Sequence, residues 1–279
     1  MSQITQKQLG NIIKGLREDF DISQEALAKH LELTRQAVSQ IEKGERKVDS
    51  LELLKIADFF SVNVDYMLNF TKEKIDSKKK ANVKFNKEKL KNVLLYILKK
   101  CGGKPNVGET VIYKLLYFID FNSYEQTGQP ITGLPYLKMQ FGPVPKIKEY
   151  KSVINAMLDD GELEFVSHVY HGKAQKRYLA LVEPDEDLFS ESEKKIMNCV
   201  IKNLSDNNAT QIEELVHGDM PWKATPDCEI IDYGLVFQRE APYTTKDYQS
   251  LWESASANDI LEDLGSMSEE EVKYYKELE

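Results

Sequence analysis

Few residues in this 279-residue chain have the types and spacing that chemistry needs. His217 and Asp219, separated by Gly218 at the end of a helical stretch, could serve as a general base and its orienting carboxylate. Asp120 sits inside an aromatic helical run, and His168, His171 and the acids around 159–164 complete the polar candidates. No nucleophile motif accompanies them, no HExxH or HxxxH spacing supplies a metal, and no glycine-rich loop cradles phosphate. The plainer account of His217 is a histidine interacting with its helix dipole. A carboxylate at Asp120 is costly unless bonded, so it is expected to accept hydrogen bonds from the loop 132–136, with Lys114 too far along the helix to pair with it well. Cys101, Cys199 and Cys228 are odd in number with no CxxC pair, which fits buried free thiols in a reducing compartment. No catalysis, metal or cofactor is expected.

The remaining chemistry is that of binding. In residues 23–44, SQEALAKHLELTRQAVSQIEKG, Ser23 and Thr34 are placed to cap two helices separated only by Glu32 and Leu33. Leu27, Ala28 and Leu31 line one inner face, and Ala37, Val38 and Ile41 the other. Arg35, Gln36, Ser39 and Gln40 then point away from Val38 and Ile41. Lys43, Arg46 and Lys47 follow in a loop suited to phosphate. Flanking helices are expected from Leu9, Ile12, Ile13 and Leu16, from Leu51, Leu54, Ala57 and Phe60, and from Val64 and Leu68. Together these five helices resemble the phage-repressor or XRE-type helix-turn-helix domain. The resemblance implies that the second helix of the pair enters the major groove, that Arg35, Gln36, Ser39 and Gln40 read base edges there, and that Gln24 contacts phosphate and adjacent bases. The segment is not basic, so a dimer on a two-fold operator would double the phosphate contacts.

Charge is unevenly spread over a net −9. Residues 1–70 carry 9 basic and 11 acidic side chains, 72–104 carry 12 lysines against 3 acids, and 105–279 carry 16 basic against 32 acidic. Residues 71–84 have no apolar periodicity and read as a Lys-rich linker. No apolar run approaches the roughly 20 residues that span a bilayer, and no apolar leader is present, so a cytoplasmic protein is expected.

Residues 85–248 read as a second, mostly helical domain with one small β-hairpin. Asn86 caps a helix carrying Leu90, Val93, Leu94, Ile97 and Leu98, ended by Gly102 and Gly103. A helix from Val107 or Glu109 to Gln126 is apolar on nearly every side and must be surrounded. Helical spacing resumes over 146–160, a period of two over 163–182 predicts the hairpin, and Ser190 or Ser192 and Asn208 or Thr210 open two further helices. The stretch 217–227, HGDMPWKATPD, is expected to be irregular.

The run KLLYFID, the later ITG, and YLKMQFGPVP resemble the core pattern of the Panacea, or SocA-like, antitoxin domain, and Pro221-Trp222 resembles the PW found late in that family. Its members hold partner toxins inactive, so the resemblance implies direct binding of a cognate toxin and no enzymatic activity. Small alarmone-synthetase-like toxins are frequent partners in that family, and one branch delivers its toxin to a protease. Tyr124, Tyr136, Lys138, Phe141 and Pro143, in the aromatic and Gly/Pro stretch, are the expected toxin-binding residues. The acidic end, 249–279, carries two amphipathic helical pieces that could dock on the body or bind a partner. The fold class expected is mainly α: a five-helix helix-turn-helix domain over 1–70 and a mostly helical antitoxin-like domain. The implied molecule is an antitoxin that also regulates its own operon, as a homodimer or a toxin–antitoxin hetero-oligomer. The alternative is a stand-alone phage or mobile-element repressor whose second domain dimerises or senses a ligand.

Overall fold

Capping side chains set the starts of six helices in the computed structural model, which describes residues 4–60, 62, 64–69, 83–170 and 173–245. The expected acidic tail and most of the Lys-rich linker lie outside the described residues. Helices α1 (Gln6–Asp19), α2 (Gln24–Leu31), α3 (Arg35–Lys43), α4 (Ser50–Phe60) and α5 (Val64–Asn69) form the head. Thr5 makes a capping box with Gln8, Ser23 accepts from the Ala26 N–H, and Thr34 accepts from the Ala37 N–H. Glu32 at φ 57° turns the chain between α2 and α3.

Buried Leu9, Ile13, Leu16, Leu27, Ala28, Leu31, Val38, Ile41, Ile56, Ala57 and Phe60 make the head's core. Gly10 of α1 lies where a Cβ would stand 2.3 Å from the Ile41 carbonyl oxygen, so only glycine lets α3 approach this closely. The expected inner faces of α4 and α5 are corrected. Leu51 and Leu54 are exposed, Leu53 is half-buried, and Ile56 joins Ala57 and Phe60 inside; in α5 Met67 is buried and Leu68 is exposed. The run LELLKIADFF has leucines on three faces, so its period does not choose among them.

The body is built around α7 (Glu109–Thr127), in which twelve residues are buried, including Lys114, Tyr117, Asp120 and Glu125. Helix α6 (Lys87–Cys101), capped by Asn86, packs beside it. Strands β1 (Tyr136–Met139) and β2 (Gly142–Pro145) pair antiparallel, Tyr136 opposite Pro145, and lie against α7. This hairpin stands in addition to the expected one. Pro143 and Pro145 and its four-residue length hide it from a strand pattern. Helix α8 (Ile147–Asp159), strands β3 (Leu163–Tyr170) and β4 (Lys173–Ala180), α9 (Glu191–Leu204), α10 (Ala209–Gly218) and α11 (Met220–Ala224) follow. Ser190 and Asn208 each close a capping box. The expected break at 217–227 is corrected: α10 continues to Gly218, and α11 begins with Pro221 in its first turn, where a missing N–H costs nothing.

The head is seated on the body. Leu137 and Met139 of β1 are buried in the head's own apolar cluster, with Val144 and Cys228 half-buried against it. Asp19, at the end of α1, faces Lys146 and Glu149 at the start of α8, and burial pushes its carboxyl up. Of the thiols, Cys101 is buried, Cys228 half-buried and Cys199 exposed, which corrects the expectation of three buried cysteines; Cys199 lies at the solvent margin of α9's apolar stripe.

Candidate DNA-reading and partner-binding surfaces

Helix α3 is held by a buried charge. Glu42, near its end, accepts from Arg17 Nε at 2.5 Å and Nη2 at 3.2 Å, and from Gln24 Nε2 at 2.8 Å. This one carboxylate therefore ties α3 to both α1 and α2, and bonding to it raises the Arg17 pKa. Arg35, Gln36, Gln40 and Lys43 are exposed on the outer side of α3, while Ser39 is half-buried. Gln24 is half-buried and spends its amide on Glu42, so its contact with a nucleic acid would use the remaining carbonyl oxygen. Arg46 is engaged by Glu52 through two bonds of 3.0 and 2.7 Å, which offsets its charge where phosphate contact was expected. A shallow cleft between α1 and α3 is lined by Lys7, Asn11, Lys14, Gln24, Ser39 and Lys43, with the bonded Glu42 at its floor. That Lys7 and Lys14 join this cleft was not legible, because on the linear chain they are merely the polar face of α1.

The body's polar residues turn inward. Asp120 accepts from the Thr132 N–H at 2.6 Å, Thr132 Oγ1 at 2.5 Å, and Tyr136 Oη at 3.0 Å. Tyr233 Oη adds a contact at 3.3 Å and donates to the Leu134 carbonyl at 2.6 Å. The expectation that Asp120 anchors the loop 132–136 therefore holds. Burial outweighs these donors and pushes its pKa up to about 6. Gly133, at φ 68°, completes the loop where a Cβ would lie 2.5 Å from the Lys84 carbonyl oxygen.

Asp219 does not orient His217. It accepts Arg239 Nε at 2.8 Å, Arg239 Nη2 at 2.7 Å and Tyr117 Oη at 2.8 Å, while Arg239 Nη1 reaches Asn122 and Glu125. His217 stacks on Trp222 at 4.2 Å between ring centroids. The base-and-carboxylate pairing is thereby broken, and Asp219 belongs to a buried ionic knot of Arg239, Glu125 and Tyr117. Nothing in the spacing of the chain announces Arg239 as its centre.

The five residues expected to meet a toxin separate into two groups. Tyr136 and Pro143 are buried, so they act through the shape they hold rather than by contact. Phe141 is 49% exposed at the tip of the β1–β2 turn. Lys138 lies over the Trp222 ring at 4.5 Å and 3.4 Å from Asp227, and Trp222 Nε1 donates to the Met139 carbonyl at 3.3 Å. Beneath the turn, buried Lys114 donates to the Pro143 carbonyl at 3.3 Å, and burial lowers its pKa to about 8. Tyr124 is half-buried and packs on Tyr233 and on Phe237, which is itself 51% exposed. Phe237 is a surface aromatic that the sequence patterns passed over. Among the described residues no group of three or more His, Cys, Asp or Glu gathers as a metal site, and no helix is long and apolar enough to cross a membrane.

Comparison with known families agrees with this architecture. Residues 13–67 match the helix-turn-helix family, and residues 112–223 match the family described as antitoxin SocA-like, Panacea domain. No curated protein matches the chain. The matched segments contain the exposed face of α3 and the Asp120-anchored hairpin respectively, so the head is similar to a helix-turn-helix domain and most of the body to an antitoxin SocA-like, Panacea domain.

Proposed function

We propose that the chain is an antitoxin that holds a cognate toxin by direct protein contact through its Panacea domain and represses its own operon through α3. The observation that carries this reading is the match of residues 112–223 to an antitoxin family, in a body whose buried ionisable groups are spent on structure. Such a body offers a shaped surface. The exposed part of that surface is Phe141 on a turn fixed by Trp222 above and Lys114 below, flanked by the Lys138–Trp222 pair. A rigid aromatic beside a cation and an indole is the chemistry of an interface anchor, because little rotamer entropy is lost when it is covered.

Phe141→Ala is expected to weaken toxin capture by about 2 kcal/mol, roughly 30-fold in Kd. Calorimetric titration of the purified pair checks this, and an unchanged Kd would place the toxin elsewhere, with Tyr124 and Phe237 as the next surface to truncate. Arg35, Gln36, Gln40 and Lys43, with Lys7 and Lys14 on phosphate, form the operator-reading face. Small alarmone-synthetase-like enzymes remain the partner class suggested by family resemblance.

A further inference from the structure

The β3–β4 hairpin carries a surface that neither DNA reading nor the Phe141 turn uses. Its ladder shows which backbone groups face outward. The Leu181 N–H donates to the Glu162 carbonyl at 2.8 Å, and those two residues stand one step beyond the Leu163–Ala180 pair. In an antiparallel ladder, hydrogen-bonded and non-hydrogen-bonded pairs alternate. Glu164, Val166 and His168 therefore bond to β4, while Phe165, Ser167 and Val169 turn their N–H and C=O groups to the outer edge.

No backbone bond from those outward groups to another element occurs among the described residues. The side chains of the same three residues share one face, and Phe165 and Val169 are 46% and 65% exposed. The strand contains neither proline nor lysine, the residues that commonly blunt an open edge.

We propose that a second copy of this chain pairs antiparallel along β3, joining the two hairpins into one four-stranded sheet. The outward parity restricts the register, since only odd-numbered residues can exchange bonds across this edge. An axis at Ser167 sets Phe165 against Val169 of the second copy and Val169 against its Phe165, so both exposed apolar side chains are covered by each other. Glu164 then lies diagonal to His168 of the second copy on the opposite face, an acid beside a base. Three directly opposed pairs supply about six backbone hydrogen bonds. Moving the axis to Val166 would oppose Phe165 to Ser167, and moving it to His168 would run Phe165 off the strand. The self-complementary spacing of Phe165, Ser167 and Val169 is what selects a second copy as the occupant.

The mass of the full chain in solution tests this. Wild type is expected to sediment at twice the chain mass of 32.1 kDa. Ser167→Pro removes an outward N–H without touching a bond to β4, and Val169→Lys places a charge on the apolar face; both are expected to sediment as monomers with unchanged circular dichroism. With the exposed Cys199 changed to Ser in both proteins, mild oxidation of Ser167→Cys is expected to give a covalent dimer that the Cys199→Ser parent does not, because directly opposed Cα atoms lie about 5.5 Å apart. A monomeric wild type overturns the proposal, as does a dimer whose mass survives both Val169→Lys and Ser167→Pro.

Discussion

Two buried side chains decide much of what this molecule can tolerate. Lys114 is buried, its one hydrogen bond among the described residues goes to the Pro143 carbonyl, and the charge of Glu213 only partly offsets the cost of burying its ammonium. Its folded pKa lies near 8, below the ordinary 10.5, which makes the unfolded state bind the proton more tightly. The penalty is full below pH 8 and disappears as pH rises toward 10.5. Lys114→Met keeps the volume beneath Gly142 and is expected to stabilise the fold by on the order of 3 kcal/mol at pH 7. Urea denaturation at pH 7 and pH 10 checks this, the gain shrinking at the higher pH. Asp120 runs the other way. Its folded pKa of about 6 lies above the unfolded value, so its contribution is greatest below the unfolded pKa and is lost as pH rises through 6. Against Asp120→Asn, which cannot titrate, the advantage of wild type is expected to be larger at pH 4 than at pH 7. An advantage that instead grew toward pH 7 would mean the hydroxyl donors, rather than burial, govern this carboxyl.

At the scale of elements, α3 depends on Glu42 as much as on its apolar face. Glu42→Ala would leave Arg17 partly buried without its partner, and a loss of roughly 3 kcal/mol is expected in thermal or chemical melts. Arg35→Ala with Gln36→Ala touches only the exposed face and is expected to abolish operator binding in a gel shift while leaving stability and toxin capture intact. Capped elements were the most legible in the chain, because Ser23, Thr34, Asn86, Ser190 and Asn208 declare helix starts through chemistry local to a few residues. The bonding of Asp120 was legible for a similar reason: a carboxylate in an aromatic helix has to find donors, and a polar loop follows it. The faces of α4, the β1–β2 hairpin and the Arg239 knot were not legible. Each is decided by partners far along the chain, Arg239 lying 114 residues from Glu125, and no local pattern encodes such a meeting.

At the scale of the whole molecule, the head and body share apolar surface that a two-module sequence pattern does not announce. Leu137 and Met139 are as buried as the head's own core, so the strand that carries the Phe141 turn is covered on one side by the helix-turn-helix head. A body separated from its head would bare both side chains and is expected to self-associate, with Leu137→Glu and Met139→Glu restoring a single species in gel filtration. The division of labour is therefore best tested with the intact chain. The most direct measurement is growth of a bacterium in which the product of the adjacent gene is induced alone, with this chain, or with its Arg35→Ala and Gln36→Ala variant. The account predicts arrest by the neighbour alone and equal rescue by the wild type and the variant, with rescue weakened by Phe141→Ala. Arrest that the intact chain does not relieve, or no arrest from the neighbour at all, would contradict it and favour a repressor that acts on DNA without a toxin partner.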